Sequence, residues 1–103
     1  MVRPCNHRRV IFEPGTTYFK PAGIPMSNLQ EEILKPDELE ALRLCDAENN
    51  KQEEAAKKMN VSQPTIFRIL ESARKKVATA LTKGKAIRIE LNALESSKSS
   101  RYK

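Results

Sequence analysis

The sequence predicts a mainly α fold: a three-helix core around a helix-turn-helix, plus a small two-stranded β element formed by the N- and C-terminal segments. Three observations point there. Apolar side chains (Ala55, Ala56, Met59, then Ile66, Ile69, Leu70, Ala73, Val77, Ala80, Leu81) recur at the three- and four-residue steps of a buried helical stripe. Asn60-Val61-Ser62 interrupts that stripe with turn and cap chemistry. Near the ends, Arg9–Phe12 (RVIF) and Ala86–Leu91 (AIRIEL) carry the β-branched and alternating patterns of short strands, which are expected to pair.

In chain order, residues 1–8 read as a flexible basic arm, residues 9–91 as the folded domain and residues 92–103, rich in Ser and Lys, as a disordered tail. The arm holds Arg3 and Arg8, with Arg9 just beyond; it suits a phosphate backbone or a minor groove, and equally a solvated tail. After Arg9–Phe12, Glu13-Pro14-Gly15 is a turn signal. Thr16–Met26, with two prolines and a glycine, is expected to be irregular, with Tyr18 and Phe19 anchoring it on the core. Ser27–Leu34 reads as a short helix or an extended connector.

A firm helix starts at Lys35-Pro36-Asp37-Glu38. Proline is tolerated where the first N–H groups have no partner, and the carboxylates complement the positive end of the helix dipole. Leu39, Ala41, Leu42, Leu44 and Cys45 are its expected buried side, and the acidic residues here are expected on solvated faces. After the loop Asp46–Asn50, a short helix spans about Gln52–Met59. A long one follows, opened by Ser62 as its cap, carrying Pro64 in its first turn and ended by Gly84. With the stripe turned inward, Pro64, Arg68, Glu71, Ser72, Lys75 and Thr79 point outward, with Gln63 and Phe67 on the shoulder.

Composition sets the limits. A chain of 103 residues with 39% hydrophobic content and no Trp makes one small aliphatic core. No apolar run approaches the roughly 18–20 residues of a membrane span. Met1–Val10 lacks the apolar stretch of a secretory signal. Two distant cysteines, Cys5 and Cys45, suit a reducing cytoplasm and no disulfide framework. Cys5-x-His7 resembles half a metal site, but His7 is the one histidine, so neither a metal nor another cofactor is expected. With no nucleophile–base pair and no Gly-rich phosphate loop, an enzyme is not expected either.

The formal net charge is +6, unevenly placed. Residues 30–54 carry nine Asp or Glu against three Lys or Arg, whereas residues 55–90 carry nine Lys or Arg against two Glu. That is a directional field suited to steering one face toward phosphate. Arg can take two guanine acceptors, Gln can pair with adenine, and Ser or Thr can reach phosphate or base. Gln63, Thr65, Phe67 and Arg68 are therefore the candidate base-facing residues of double-stranded DNA. Ser62, Lys75 and Lys76 are the phosphate-facing candidates, with Lys57, Arg8 and Arg9 behind them. A plain helical hairpin with a solvated charged face, and a protein-interaction module of a regulatory complex without direct DNA reading, are the alternatives.

Several strings carry a resemblance. Thr17–Gly23 (TYFKPAG), Asp37–Leu44 (DELEALRL), Gln52–Met59 (QEEAAKKM), Val61–Leu81 (VSQPTIFRILESARKKVATAL) and Gly84–Glu90 (GKAIRIE), in this order, resemble the UPF0251 family, also called DUF134, over roughly residues 3–90. The two-helix portion is similar, more broadly, to region 4 of sigma-70-type factors. The resemblance implies a small helix-turn-helix DNA binder, a transcriptional regulator. One such module buries too little DNA surface for high specificity, so a homodimer on a two-fold site is expected. Some relatives carry an added domain similar to iron–molybdenum cofactor-binding proteins; no such domain is recognised here, so the resemblance implies no cofactor.

Overall fold

The computed structural model describes Val10 and residues 17–90. The basic arm, the tail and, apart from Val10, the strand expected at Arg9–Phe12 lie outside the described residues; Val10 itself is in no strand. The elements in order are β1 (Tyr18–Phe19), a 3-10 turn (Met26–Asn28), β2 (Glu31–Leu34), α1 (Pro36–Leu42) running into a π-helical turn (Arg43–Ala47), α2 (Gln52–Met59), α3 (Gln63–Lys83) and β3 (Ala86–Ile89).

The mainly helical fold with a small β element is as expected, but the sheet has three strands. Its order is β1-β3-β2, with β1 antiparallel and β2 parallel to the central β3. The segment around Tyr18 that reads as irregular supplies one partner, and Glu31–Leu34 resolves to an extended strand. Tyr18 and Phe19 do not anchor on the core: both rings are exposed, and the Tyr18 hydroxyl donates to Glu31 at 2.9 Å. A two-residue edge strand gains its place from β3's backbone rather than from burying its own side chains.

Local rules account for the helix ends. The Lys35 N–H donates to Glu38 Oε1 at 2.8 Å, which closes the start of α1 behind Pro36. The end of α1 widens into the π turn, where the Glu48 N–H reaches Arg43 O at 2.9 Å and the Arg43 guanidinium bridges Glu40 and Glu48. Asn49, at φ 64, then turns the chain, and Asn50 donates both its N–H and its Nδ2 to Leu44 O. Between α2 and α3, Asn60 sits in the left-handed region (φ 60, ψ 46), and the Val61 N–H returns to Ala56 O at 2.9 Å. Ser62 accepts from the Thr65 N–H, and Gly84 (φ 67) ends α3, both as the sequence predicts.

The larger core cluster is where α1 and its π turn, α2 and α3 meet, with Met59, Ile66 and Leu70 wholly buried and Ala41, Ala55 and Ala56 allowing close approach. A smaller cluster of Leu34, Ala73 and Ile89 seats the sheet on α3. Leu42 touches both clusters and so joins the two halves. Deleting a fully buried side chain such as Leu70 to Ala costs about 2–5 kcal/mol in cores of this kind.

Two further expectations are overturned. Leu81 is not in the core but 75% exposed, because the buried line runs through Ile66, Ala73 and Ala80, and Leu81 is turned about 100° from Ala80. The carboxylates of α1 are not all solvated: Glu38 and Glu40 are 5% and 2% exposed. Burial of a charge requires partners. Glu40 has Arg43, and Glu38 has Lys35 N–H, the Ser72 hydroxyl and the Lys76 ammonium (2.9 Å).

Candidate nucleic-acid interface

The N-terminal half of α3 packs one face into the core and turns the other to solvent, and the turn that precedes it sets where it starts. The left-handed Asn60 reverses the chain, and Ser62 fixes the first turn twice: its Oγ accepts from the Thr65 N–H at 3.2 Å and donates to Thr65 Oγ1 at 2.8 Å. No acidic residue occupies that first turn, so the partial positive charge of the helix end is left without a carboxylate against it. By contrast α1 and α2 each carry two acidic residues in their first turns.

Onto this scaffold the sequence hangs exposed Gln63, Pro64 and Arg68, a Phe67 ring 52% exposed, and half-buried Thr65. Ile66, Ile69 and Leu70 alternate with them and hold the opposite face in the core. Gln63 and Arg68 are about 7–8 Å apart along the axis, and Lys75 follows Arg68 after about 10 Å, two turns further on. Glu71 stands exposed between Arg68 and Lys75.

The cations divide into two sets. Arg43 bridges Glu40 and Glu48, Arg74 grips Asp46 through two bonds, Lys85 pairs with Glu32, Arg88 with Glu31, and Lys76 with Glu38 while also donating to Ile33 O at 2.8 Å. These five fasten elements of the fold to each other. Lys57, Arg68 and Lys75, exposed on α2 and α3, have no acidic partner within ion-pair reach, and nor have Lys51, before α2, or Lys83, at the end of α3. The structure thus brings Gln63, Phe67, Arg68 and the Ser62–Thr65 cap to one helix end and leaves Lys57 and Lys75 free beside it. It ties Lys76 into the interior, which the sequence places among the phosphate candidates. Arg8 and Arg9 lie outside the described residues. Lys51, Lys83 and Lys58 (exposed on α2 and bonded only to Asn50 Oδ1 at 3.4 Å) are additions to the sequence candidates; nothing local marks them, because their freedom depends on which acids the fold places nearby.

The environment of the remaining reactive groups is structural. Burial, aided by the Asp46 charge, holds the Cys45 thiol above its ordinary range, so it behaves as a small apolar group. The Arg74 guanidinium holds Asp46 below the usual carboxylate range, against the opposing effect of burial. Among the described residues, no three His, Cys, Asp or Glu side chains gather as a metal would require, and no helix is long and apolar enough to cross a membrane.

These features define a small, mainly helical protein in which a tightly turned helix pair presents one exposed basic helix face. The chain belongs to the family whose model is described as "Protein of unknown function DUF134", which matches residues 1–96. It is 59% identical over 90 residues to a UPF0251 protein of Caldanaerobacter subterraneus subsp. tengcongensis, covering 87% of this chain and 76% of the relative. It is 58% identical over 90 residues to a UPF0251 protein of Moorella thermoacetica, covering 87% of this chain and 60% of the relative. A UPF0251 protein of Dehalococcoides mccartyi is 56% identical over 90 residues, at 87% and 77% coverage. The aligned region therefore spans between three-fifths and about three-quarters of these relatives. No solved structure matches the chain.

Proposed function

We propose that this chain binds double-stranded DNA in a sequence-specific manner, with α2 and α3 acting as a helix-turn-helix, and that it serves as a transcriptional regulator. One observation supports this above the others: the exposed end of α3 carries Gln63, Phe67 and Arg68 with no acidic partner, on a helix start free of carboxylates. In this reading Arg68 takes two guanine acceptors, Gln63 pairs with adenine, Phe67 meets a thymine methyl, and Thr65 sits at the groove wall. Ser62, Lys57, Lys75 and the arginines of the N-terminal segment, Arg8 and Arg9, meet phosphate. A single module of this size buries little DNA surface, so a homodimer on a two-fold site is the working form.

The test is a salt titration of binding to a duplex selected from a random pool. With about four cations (Lys57, Lys75, Arg8 and Arg9) meeting phosphate, log affinity falls against log salt with a slope near −3.6 per protomer. A slope near zero, or a selection that enriches no sequence, overturns the reading.

A further inference from the structure

We infer that Glu71 is a specificity-determining residue of the α3 face, its carboxylate accepting from a cytosine N4 amino group in the base pair next to the one that Arg68 reads. The inference rests on the DNA reading and adds a residue and a base to it. Glu71 is the one acidic residue of α3, in a helix that carries five basic ones (Arg68, Arg74, Lys75, Lys76 and Lys83). It is exposed. Arg68 and Lys75 stand three residues before it and four after it, the spacings at which side chains on a helix pair. Neither pairs with it. Elsewhere the fold uses its carboxylates as fasteners: Glu31, Glu32, Glu38, Glu40, Asp46 and Glu48 each hold a Lys or Arg.

Helix geometry fixes the direction of Glu71. At about 100° per residue it lies about 40° around the axis from Phe67 and about 60° from Arg68, on the exposed arc between them. A groove that receives Phe67 and Arg68 therefore faces Glu71 as well. Along the axis it stands about 4.5 Å beyond Arg68, close to the roughly 3.4 Å step from one base pair to the next. A carboxylate there can only accept hydrogen bonds, and phosphate repels it. In the major groove, guanine presents acceptors alone and thymine an acceptor and a methyl group, so the donors are adenine N6 and cytosine N4. Adenine N6 lies between two acceptors, its own N7 and thymine O4, which disfavour an anion; cytosine N4 has an acceptor on one side only, guanine O6. Cytosine is thus the base that suits an unpaired carboxylate. A glutamine amide, with a donor beside its acceptor, suits adenine instead.

Selection from a random duplex pool tests this with the wild type, Arg68→Ala, Glu71→Ala and Glu71→Gln. Both positions are exposed, so the melting temperature of each variant is expected to match the wild type. The wild-type motif is expected to hold a cytosine beside the guanine that Arg68→Ala relaxes, and replacing that cytosine is expected to cost about fivefold or more in affinity. Glu71→Ala is expected to lose the preference at that base pair while keeping the guanine, and Glu71→Gln to admit adenine there. A Glu71→Ala motif identical to that of the wild type overturns the inference and leaves the DNA reading in place. So does a Glu71→Ala motif that relaxes only the guanine, because Glu71 then acts by orienting Arg68. A wild-type selection that enriches no sequence removes the reading and the inference together.

Discussion

Lys75 and Lys76 are neighbours in sequence and opposites in circumstance. Lys76 bridges α3 to α1 and β2 through Glu38 and the Ile33 carbonyl, half-buried, while Lys75, turned about 100° around the helix, is exposed with no acidic partner. The same division holds on the larger scale. On the side of α1 and the sheet, basic side chains meet carboxylates and hold elements together; on the outer side of α2 and the start of α3 they meet only solvent. Total charge therefore says little about where a polyanion would sit. What matters is which positive groups the fold has left uncompensated.

The sharpest way to break this division is to strike its fastened side. Glu38 receives the Lys35 N–H, Lys76 and Ser72 at once, so Glu38→Ala strands a half-buried ammonium and an unfilled helix start. Removing one partner of a fully buried pair costs about 3–5 kcal/mol; with Lys76 still 25% exposed, about 2–3 kcal/mol is expected. In thermal unfolding that is a fall of about 10–20 °C for a domain of this size. The pH dependence has a definite sign. Burial pushes the Glu38 carboxyl up, but Lys35, Lys76 and Ser72 together hold it below its ordinary value. Its folded pKa is thus depressed, so its contribution is present above the ordinary carboxylate pKa and is lost as pH falls through the folded value. Glu38→Ala should lack that part of the acid-side loss, and equal acid sensitivity in both proteins would show that Glu38 is no hub.

Striking the open side should do the reverse. Arg68→Ala is expected to weaken binding to a selected duplex by about 1–3 kcal/mol and relax the preference at one base pair, with unfolding unchanged within about 0.5 kcal/mol. A selected motif identical to that of the wild type would place the reading face elsewhere.

The residues legible in the sequence are those governed by local rules. Asn60, Ser62 and Gly84 each satisfy a backbone demand that can be read from a few neighbours, and each is where it was expected. The exposure of Gln63 and Arg68 follows from the same period that buries Ile66, Ile69 and Leu70. Tertiary facts were not legible. Tyr18–Phe19 is too short to show alternation, and Glu31–Leu34 places two glutamates where a strand pattern would be sought, so neither announces its pairing with β3. Leu81 continues the apolar spacing but lies beside the core line rather than on it, and periodicity alone cannot say how wide that line is. Glu38 looks like a helix-start carboxylate and is one, yet its burial depends on Lys76 and Ser72, more than thirty positions away.

A smaller effect sits where both sides meet. Ser62→Ala removes the acceptor for the Thr65 N–H and the hydroxyl bond to Thr65 Oγ1, and loss of such a cap costs about 1 kcal/mol. Because the cap also fixes the first turn that carries Gln63, duplex affinity should fall along with stability. Ser62→Asp preserves the cap, so it should restore the melting temperature while weakening DNA binding, because it sets a carboxylate where phosphate is expected. Recovery of both properties would mean that Ser62 matters only as a cap.

The finest discrimination compares two cations of equal charge but different company. Lys75→Ala should lower the magnitude of the salt slope by about 0.9 and leave stability within about 0.5 kcal/mol, because that ammonium has no partner in the fold. Arg88→Ala should leave the slope unchanged, because its guanidinium is already satisfied by Glu31 at 3.1 Å on the sheet. Its stability cost should stay below about 1 kcal/mol, the usual worth of a partly exposed pair. If the two substitutions change the slope alike, counterions are being displaced by the whole surface, and the open face has no special claim on DNA. If only Lys75 moves it, the absence of a carboxylate neighbour, rather than charge as such, marks the phosphate track.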